Sequence, residues 1–143
     1  MTNLDPDYTI QRETKLDLVD YLSVLKSSGL AERRPVDDMD RIKAMVSNAN
    51  LVLSARDRHG SLVGFARCVT DFAHSCYVAD LAVDRVAQGL GLGAKLLQAV
   101  RAEIHPNCNC HLISAPGAIS FYQHHGFPPV TRGFEIHDVS DAK

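Results

Sequence analysis

The residues best suited to chemistry fall in two stretches of this 143-residue chain. In the first, QGLGLGAK (Gln88 to Lys95), the glycines Gly89, Gly91 and Gly93 alternate where a strand-like run gives way to a helix-like one. Glycine allows positive φ and lets backbone amides come close to a ligand. A helix that opens there adds N–H groups with no partner of their own and a dipole that favours an anion. Gln88 to Gly93 therefore reads either as a pyrophosphate cradle or as a tight turn packing a helix on a sheet, and glycine count alone leaves both open. The second stretch, AISFYQHHGF (Ala118 to Phe127), gathers two phenylalanines, two histidines and Tyr122, an aromatic that packs readily while its hydroxyl stays polar.

Three other site chemistries fit less well. A dinucleotide fingerprint needs G-x-G-x-x-G and an acid about 20 residues on; here the spacing is G-x-G-x-G and the later position is Asn109. A Walker loop needs G-x-x-x-x-G-K followed by Ser or Thr, and counting from Gly89 gives Ala94, Lys95 and Leu96. His105, Cys108, Cys110 and His111 offer soft ligands for zinc, but their C-x-C spacing runs into a predicted strand, so no metal is expected.

The elements that must position these groups follow from periodicity. Tyr8–Glu13 alternates as a strand. Leu16, Val19, Leu22 and Leu25 recur at helical spacing within Thr14–Gly29, with Gly29 as a stop. The loop Ala31–Asp38 follows, and Asp37 or Asp38 caps a second helix running to about Asn48. Arg33 and Arg34 lie in that loop among acids and read as solvated. Leu51–Asp57 and Leu62–Phe72 form a hairpin about Arg58–Ser61. Tyr77–Val83 is a strand, Leu90–Ile104 a helix, Cys110–Ala115 a strand parallel to it, and Pro116–His125 a short helix. Pro128–Val139 gives one or two last strands, and Ser140–Lys143 is expected to fray. The result is one α/β domain over residues 1–143, with a mixed, mostly antiparallel sheet and about four helices.

Composition narrows the function. With 45% hydrophobic residues the chain can bury a sizeable core, and a net charge of −2 argues against a nucleic-acid binder. No apolar run reaches the roughly 20 residues that span a bilayer, so no membrane role is expected. The N-terminus has no basic segment followed by an apolar one. The four cysteines are accordingly read as reduced thiols in a cytoplasmic protein.

Gln88-x-x-Gly91-x-Gly93 matches Q/R-x-x-G-x-G/A, Asp80–Val83 resembles the strand that leads into that loop, and Ala118–Phe127 matches A-x-x-F-Y-x-x-x-G-F. In these signatures and in element order, from about Tyr8 to Ile136, the chain resembles the GNAT superfamily of N-acetyltransferases. The resemblance implies a fold in which two parallel strands splay apart around the pantetheine arm of acetyl-CoA. It implies backbone contacts to the cofactor from Leu81, Ala82 and Val83 and pyrophosphate contacts from Gln88, Gly89, Leu90, Gly91, Leu92, Gly93 and Ala94. Phe121 is expected to pack at the cofactor, and Tyr122 to protonate the departing thiolate. The Val83 amide is a candidate for stabilising the tetrahedral oxyanion.

Many relatives carry Asn where this chain has Ala115, so a cofactor contact is lost or passes to Ser114 or Ser120. The general base stays open among Asp80, His74, Asp71, His111 and a water chain. Asp80 either stands at the acceptor end of the gap or faces the core and pairs with a neighbour. The implied partner is a small-molecule or peptide amine, with a homodimer compatible with the family. A fold that kept acyl-CoA binding without the chemistry would be a sensor module.

Overall fold

A computed structural model of the chain describes residues 7–141. Five strands form one sheet in chain order: β1 (Tyr8–Glu13), β2 (Leu51–Asp57), β3 (Leu62–Thr70), β4 (Ser75–Val83) and β5 (Asn109–His111). Neighbours are antiparallel from β1 to β4, and β5 is parallel to β4. This is the mixed, mostly antiparallel sheet that the alternation of the sequence dictates.

Helix α1 (Leu18–Ser28) starts where the Asp17 side chain accepts from the N–H groups of Val19 and Asp20, and stops at Gly29, whose φ is 87°. One turn of 3-10 helix, Leu30–Arg33, leads to α2 (Met39–Asn48), which Asp38 caps through the Arg41 N–H. Tyr21, Val24 and Leu25 of α1 and Ile42 and Val46 of α2 join Val52, Phe65 and Ala82 in one buried cluster. Helix α3 (Leu92–Glu103) buries Leu92, Leu96, Leu97 and Val100. It covers the opposite face, where a β-carbon on Gly64 would touch Leu96. With helices on both sides, β2 is buried without interruption from Leu51 to Ala55, as a doubly covered strand must be.

The chain divides into two compact units, one running to Ile113 and the other starting at Ser114. The sheet and α1–α3 belong to the first. The second holds 3-10 turns at Pro116–Ala118 and Val139–Asp141, helix α4 (Ile119–His124) and irregular chain.

Two expectations are corrected. The strand expected over Cys110–Ala115 is confined to Asn109–His111. No strand forms over Pro128–Val139. Pro128 and Pro129 remove two donors at its start, and Val130, Phe134 and Ile136, which alternation would bury, are exposed. Of Ser140–Lys143, expected to fray, Ser140 and Asp141 instead belong to a 3-10 turn with Val139, while Ala142 and Lys143 lie outside the described residues.

Candidate active site

Strand β4 is the axis of the site. β5 pairs with it only at Ser75↔Asn109, Cys76↔Cys110 and Tyr77↔His111. Beyond Tyr77, β4 continues to Val83, and among the described residues no strand joins it on that side. The parallel pair is therefore a fork with a three-residue base.

A bulge lies just inside the fork. Cys68 faces Val78 and Arg67 faces Asp80, so Ala79 is an extra residue on β4. The extra residue reverses the alternation. Asp84 donates to the Val63 carbonyl at 2.8 Å, so Ala82 and Asp80, two and four residues back, also turn their backbone groups to β3. Leu81 and Val83 turn theirs to the open edge. Of the three expected backbone contacts, Leu81 and Val83 thus face the fork and Ala82 does not.

The glycine corner follows. Asp84 caps a 3-10 turn, Arg85–Ala87, through the Val86 N–H. Gly89 and Gly91 then take φ of 85° and 82°, and a β-carbon built on either meets nothing within 4 Å. The first bond of α3 runs from the Lys95 N–H to the Gly91 carbonyl at 3.1 Å. Among the described residues, no acceptor meets the N–H of Gly89, Leu90, Gly91, Leu92, Gly93 or Ala94. Six consecutive donors on an open bend and the first turn of a 12-residue helix suit a doubly charged pyrophosphate. Gln88 differs from its neighbours. Its N–H donates to the Arg85 carbonyl and its side-chain amide donates to the Val83 carbonyl at 2.8 Å. It ties the corner back to β4 instead of adding a seventh free amide.

Asp80 takes the second of its two expected dispositions. It is 1% exposed. The Tyr21 hydroxyl and the Arg67 Nε both donate to its Oδ2 at 2.6 Å, and the Arg34 Nε donates to its Oδ1 at 2.6 Å. Burial works to raise its pKa. The hydrogen bond and charge of Arg67, then the Tyr21 hydrogen bond and the Arg34 charge, outweigh burial and hold the carboxyl below its ordinary value. Burial and then the Asp80 charge raise the pKa of Tyr21, so the phenol stays a donor. Arg34 is not a solvated loop residue: its Nη2 also donates to the Ala79 carbonyl at 2.8 Å, and its side chain is 21% exposed.

The other base candidates separate. Asp71 Oδ1 accepts from the N–H groups of Ala73, His74 and Ser75. Those bonds, Ser75 foremost, hold its pKa at about 2, which makes it a turn-forming group. His111 stands opposite Tyr77 at the base of the fork. Among the described residues no three His, Cys, Asp or Glu side chains converge as a metal site would require.

In the second unit, Tyr122 meets Phe121 edge-on at 5.2 Å and Phe127 at 6.0 Å between ring centres, and the Phe127 N–H donates to the Tyr122 carbonyl. Gly126, with φ of 87°, provides the left-handed turn that brings Phe127 back. Phe121 also lies 4.6 Å from the His125 ring. The Ser114 hydroxyl donates to the Ala115 carbonyl, while Ser120 is exposed.

Sequence reasoning missed Arg34, Arg67 and Tyr21 as partners of Asp80. The signal was Arg67 itself, a lone charge in the apolar run LVGFARCV. A strand buried on both faces cannot hold a guanidinium without a counter-ion.

A family model described as an acetyltransferase (GNAT) domain matches residues 48–129. The chain belongs to the GNAT acetyltransferase family. The matched span runs from the end of α2 through the fork and the glycine corner to α4. Curated relatives include an uncharacterized ycf52-like N-acetyltransferase of Prochlorococcus marinus, 33% identical over 82% of this chain and 66% of its own length. An uncharacterized ycf52 N-acetyltransferase of Pyropia yezoensis is 31% identical over 75% of this chain and 69% of its own. The chain thus spans about two thirds of the length of these GNAT relatives. A putative acetyltransferase from Deinococcus radiodurans superposes with a TM-score of 0.72 over 96% of this chain and 94% of its own, at 19% identity, which speaks to the GNAT fold alone.

Proposed function

We propose that this GNAT domain transfers an acetyl group from acetyl-CoA to a primary amine by direct attack in a ternary complex. The observation that carries the reading is the limb of β4 that no strand joins, leading into six amides that meet no acceptor among the described residues. In this reading the backbone of Leu81 and the Val83 N–H pair with the pantetheine arm as an added strand would. The amides of Gly89 to Ala94 take the pyrophosphate, and Gln88 holds the corner against β4. Both glycines with positive φ face open space, so the fit needs no displacement of side chains.

Direct transfer needs a neutral amine, a stabilised oxyanion and a protonated leaving thiolate. Tyr122 supplies the last of these. Asp80 is a poor base, because its lone pairs are spent on two guanidiniums and a phenol and its pKa is lowered. We assign it to structure, and the proton of the amine to water or to a group elsewhere.

The acceptor is an amine of small-molecule or peptide origin. The test is calorimetric titration with CoA, followed by thiol release from acetyl-CoA across a broad amine panel. Tyr122→Phe is expected to lower turnover about 100-fold with little change in CoA affinity; unchanged turnover sinks the acid assignment. CoA binding with no thiol release from any amine supports the sensor reading instead.

A further inference from the structure

The Asp80 cluster does more than bury a charge. It joins four parts of the fold at one point: Tyr21 on α1, Arg67 on β3, Arg34 in the loop before α2, and Asp80 on β4. That point adjoins the bulge. Arg34 is the member that touches the bulge itself, since the same guanidinium reaches the carbonyl of the extra residue, Ala79, and the carboxylate of the next, Asp80. Its Nη1 also donates to the Arg33 carbonyl at 2.7 Å, which closes its own loop around the head group. Guanidinium is planar, with donors in a fixed fork, so two acceptors held this way are held at a set angle to each other. The bulge decides which residues of β4 face the open edge, and Tyr77, where β5 leaves, is two residues before Ala79.

We propose that Arg34 is a positioning residue for the donor, fixing the β4 bulge so that Leu81 and Val83 present their backbone groups to the fork. The inference rests on the donor reading given above. It assigns to an arginine on the α1–α2 loop a share in binding a ligand it need not touch. The competing role is simple charge balance for Asp80, and Arg34→Lys separates the two. Lysine keeps the charge beside Asp80 but places it as a point, without the planar fork that spans Ala79 and Asp80. Arg33→Met is the control, because Arg33 is exposed and removes a positive charge from the same loop.

Two measurements decide it. The first is CoA affinity by calorimetry; the second is hydrogen exchange of the peptide covering Val78–Asp84 in ligand-free protein. Positioning predicts that Arg34→Lys weakens CoA binding about tenfold and speeds exchange across Val78–Asp84, with the melting temperature near that of the unaltered protein. Arg33→Met changes neither. Arg34→Lys with unaltered CoA affinity and unaltered exchange overturns the inference and leaves the donor reading standing. Unaltered protein that binds no CoA overturns both. Equal weakening in Arg34→Lys and Arg33→Met also overturns it, since loop charge alone would then account for the effect.

Discussion

The Asp80 cluster and the glycine corner are both concentrations of polar groups on or just after β4, and they are finished in opposite ways. In the cluster the carboxylate accepts from three side chains at 2.6 Å and is almost wholly out of water. In the corner, amides from Gly89 to Ala94 have no acceptor among the described residues, and a β-carbon on Gly89 or Gly91 would meet open space. A buried polar group must be matched within the protein, whereas exposed donors cost nothing while water serves them and stay available to a ligand. Asp80 is the more conspicuous residue in a sequence, being an acid in an apolar strand. The corner, which offers only backbone, is the better candidate for recognition.

The contrast is sharpest under substitution. Asp80→Ala leaves two guanidiniums and a phenol facing one another, and the expected loss is about 3–5 kcal/mol of stability, read by urea unfolding. A loss below about 1 kcal/mol would mean that the cluster is solvated and the contrast false. Gly91→Glu should do the reverse. Its φ of 82° imposes a strain of about 1–2 kcal/mol, yet the side chain has room. The protein should therefore fold while CoA affinity falls at least about 100-fold, through bulk and like charge at the pyrophosphate. A misfolded variant would show that the corner, too, is held by its own packing.

Acid sharpens the comparison further. The folded pKa of Asp80 lies below its unfolded value of about 3.9. Its contribution is therefore complete above that pH and is lost as pH falls through the lowered folded value. Stability of the unaltered protein should drop with a slope of up to about 1.4 kcal/mol per pH unit from this group. Asp80→Asn should lack that share of the slope. The corner has no titrating group among Gln88–Ala94 and contributes nothing to it. The smallest effect is expected of Gln88→Leu, which frees the Val83 carbonyl. CoA affinity should fall about two- to threefold and stability by about 0.5 kcal/mol, since one exposed hydrogen bond is lost. A larger fall in affinity would show that Gln88 touches the ligand.

Much of this was legible in the chain. Periodicity placed α1 to α4 and β1 to β4, Asp38 and Gly29 marked helix ends, and glycine spacing located the corner. Three things were not. The bulge at Ala79 has no signature, because alanine fits a strand and a bulge alike. The partners of Asp80 lie 59, 46 and 13 residues away in sequence, and long-range pairing of single polar residues leaves no periodic trace. The alternation in Pro128–Val139 suggested strands, but alternation makes a strand only where an edge receives it, and there it stays irregular.

The bulge has a consequence for how β4 tolerates changes of length. Strand faces repeat every two residues, so Ala79 acts as a frame mark between two registers of the same strand. Deleting it would leave Val78 opposite Cys68 and Asp80 opposite Arg67, an unbroken ladder with every side chain on its present face, but without the carbonyl that the Arg34 Nη2 holds. Losing any other single residue between Cys76 and Ala82 with the bulge kept would instead turn one part of the strand over. A one-residue deletion at the Arg58–Ser61 turn, by contrast, shifts only a connection that solvent already surrounds. Ala79 is therefore the one residue of β4 that the ladder itself could lose, and Arg34 is the side chain that would notice.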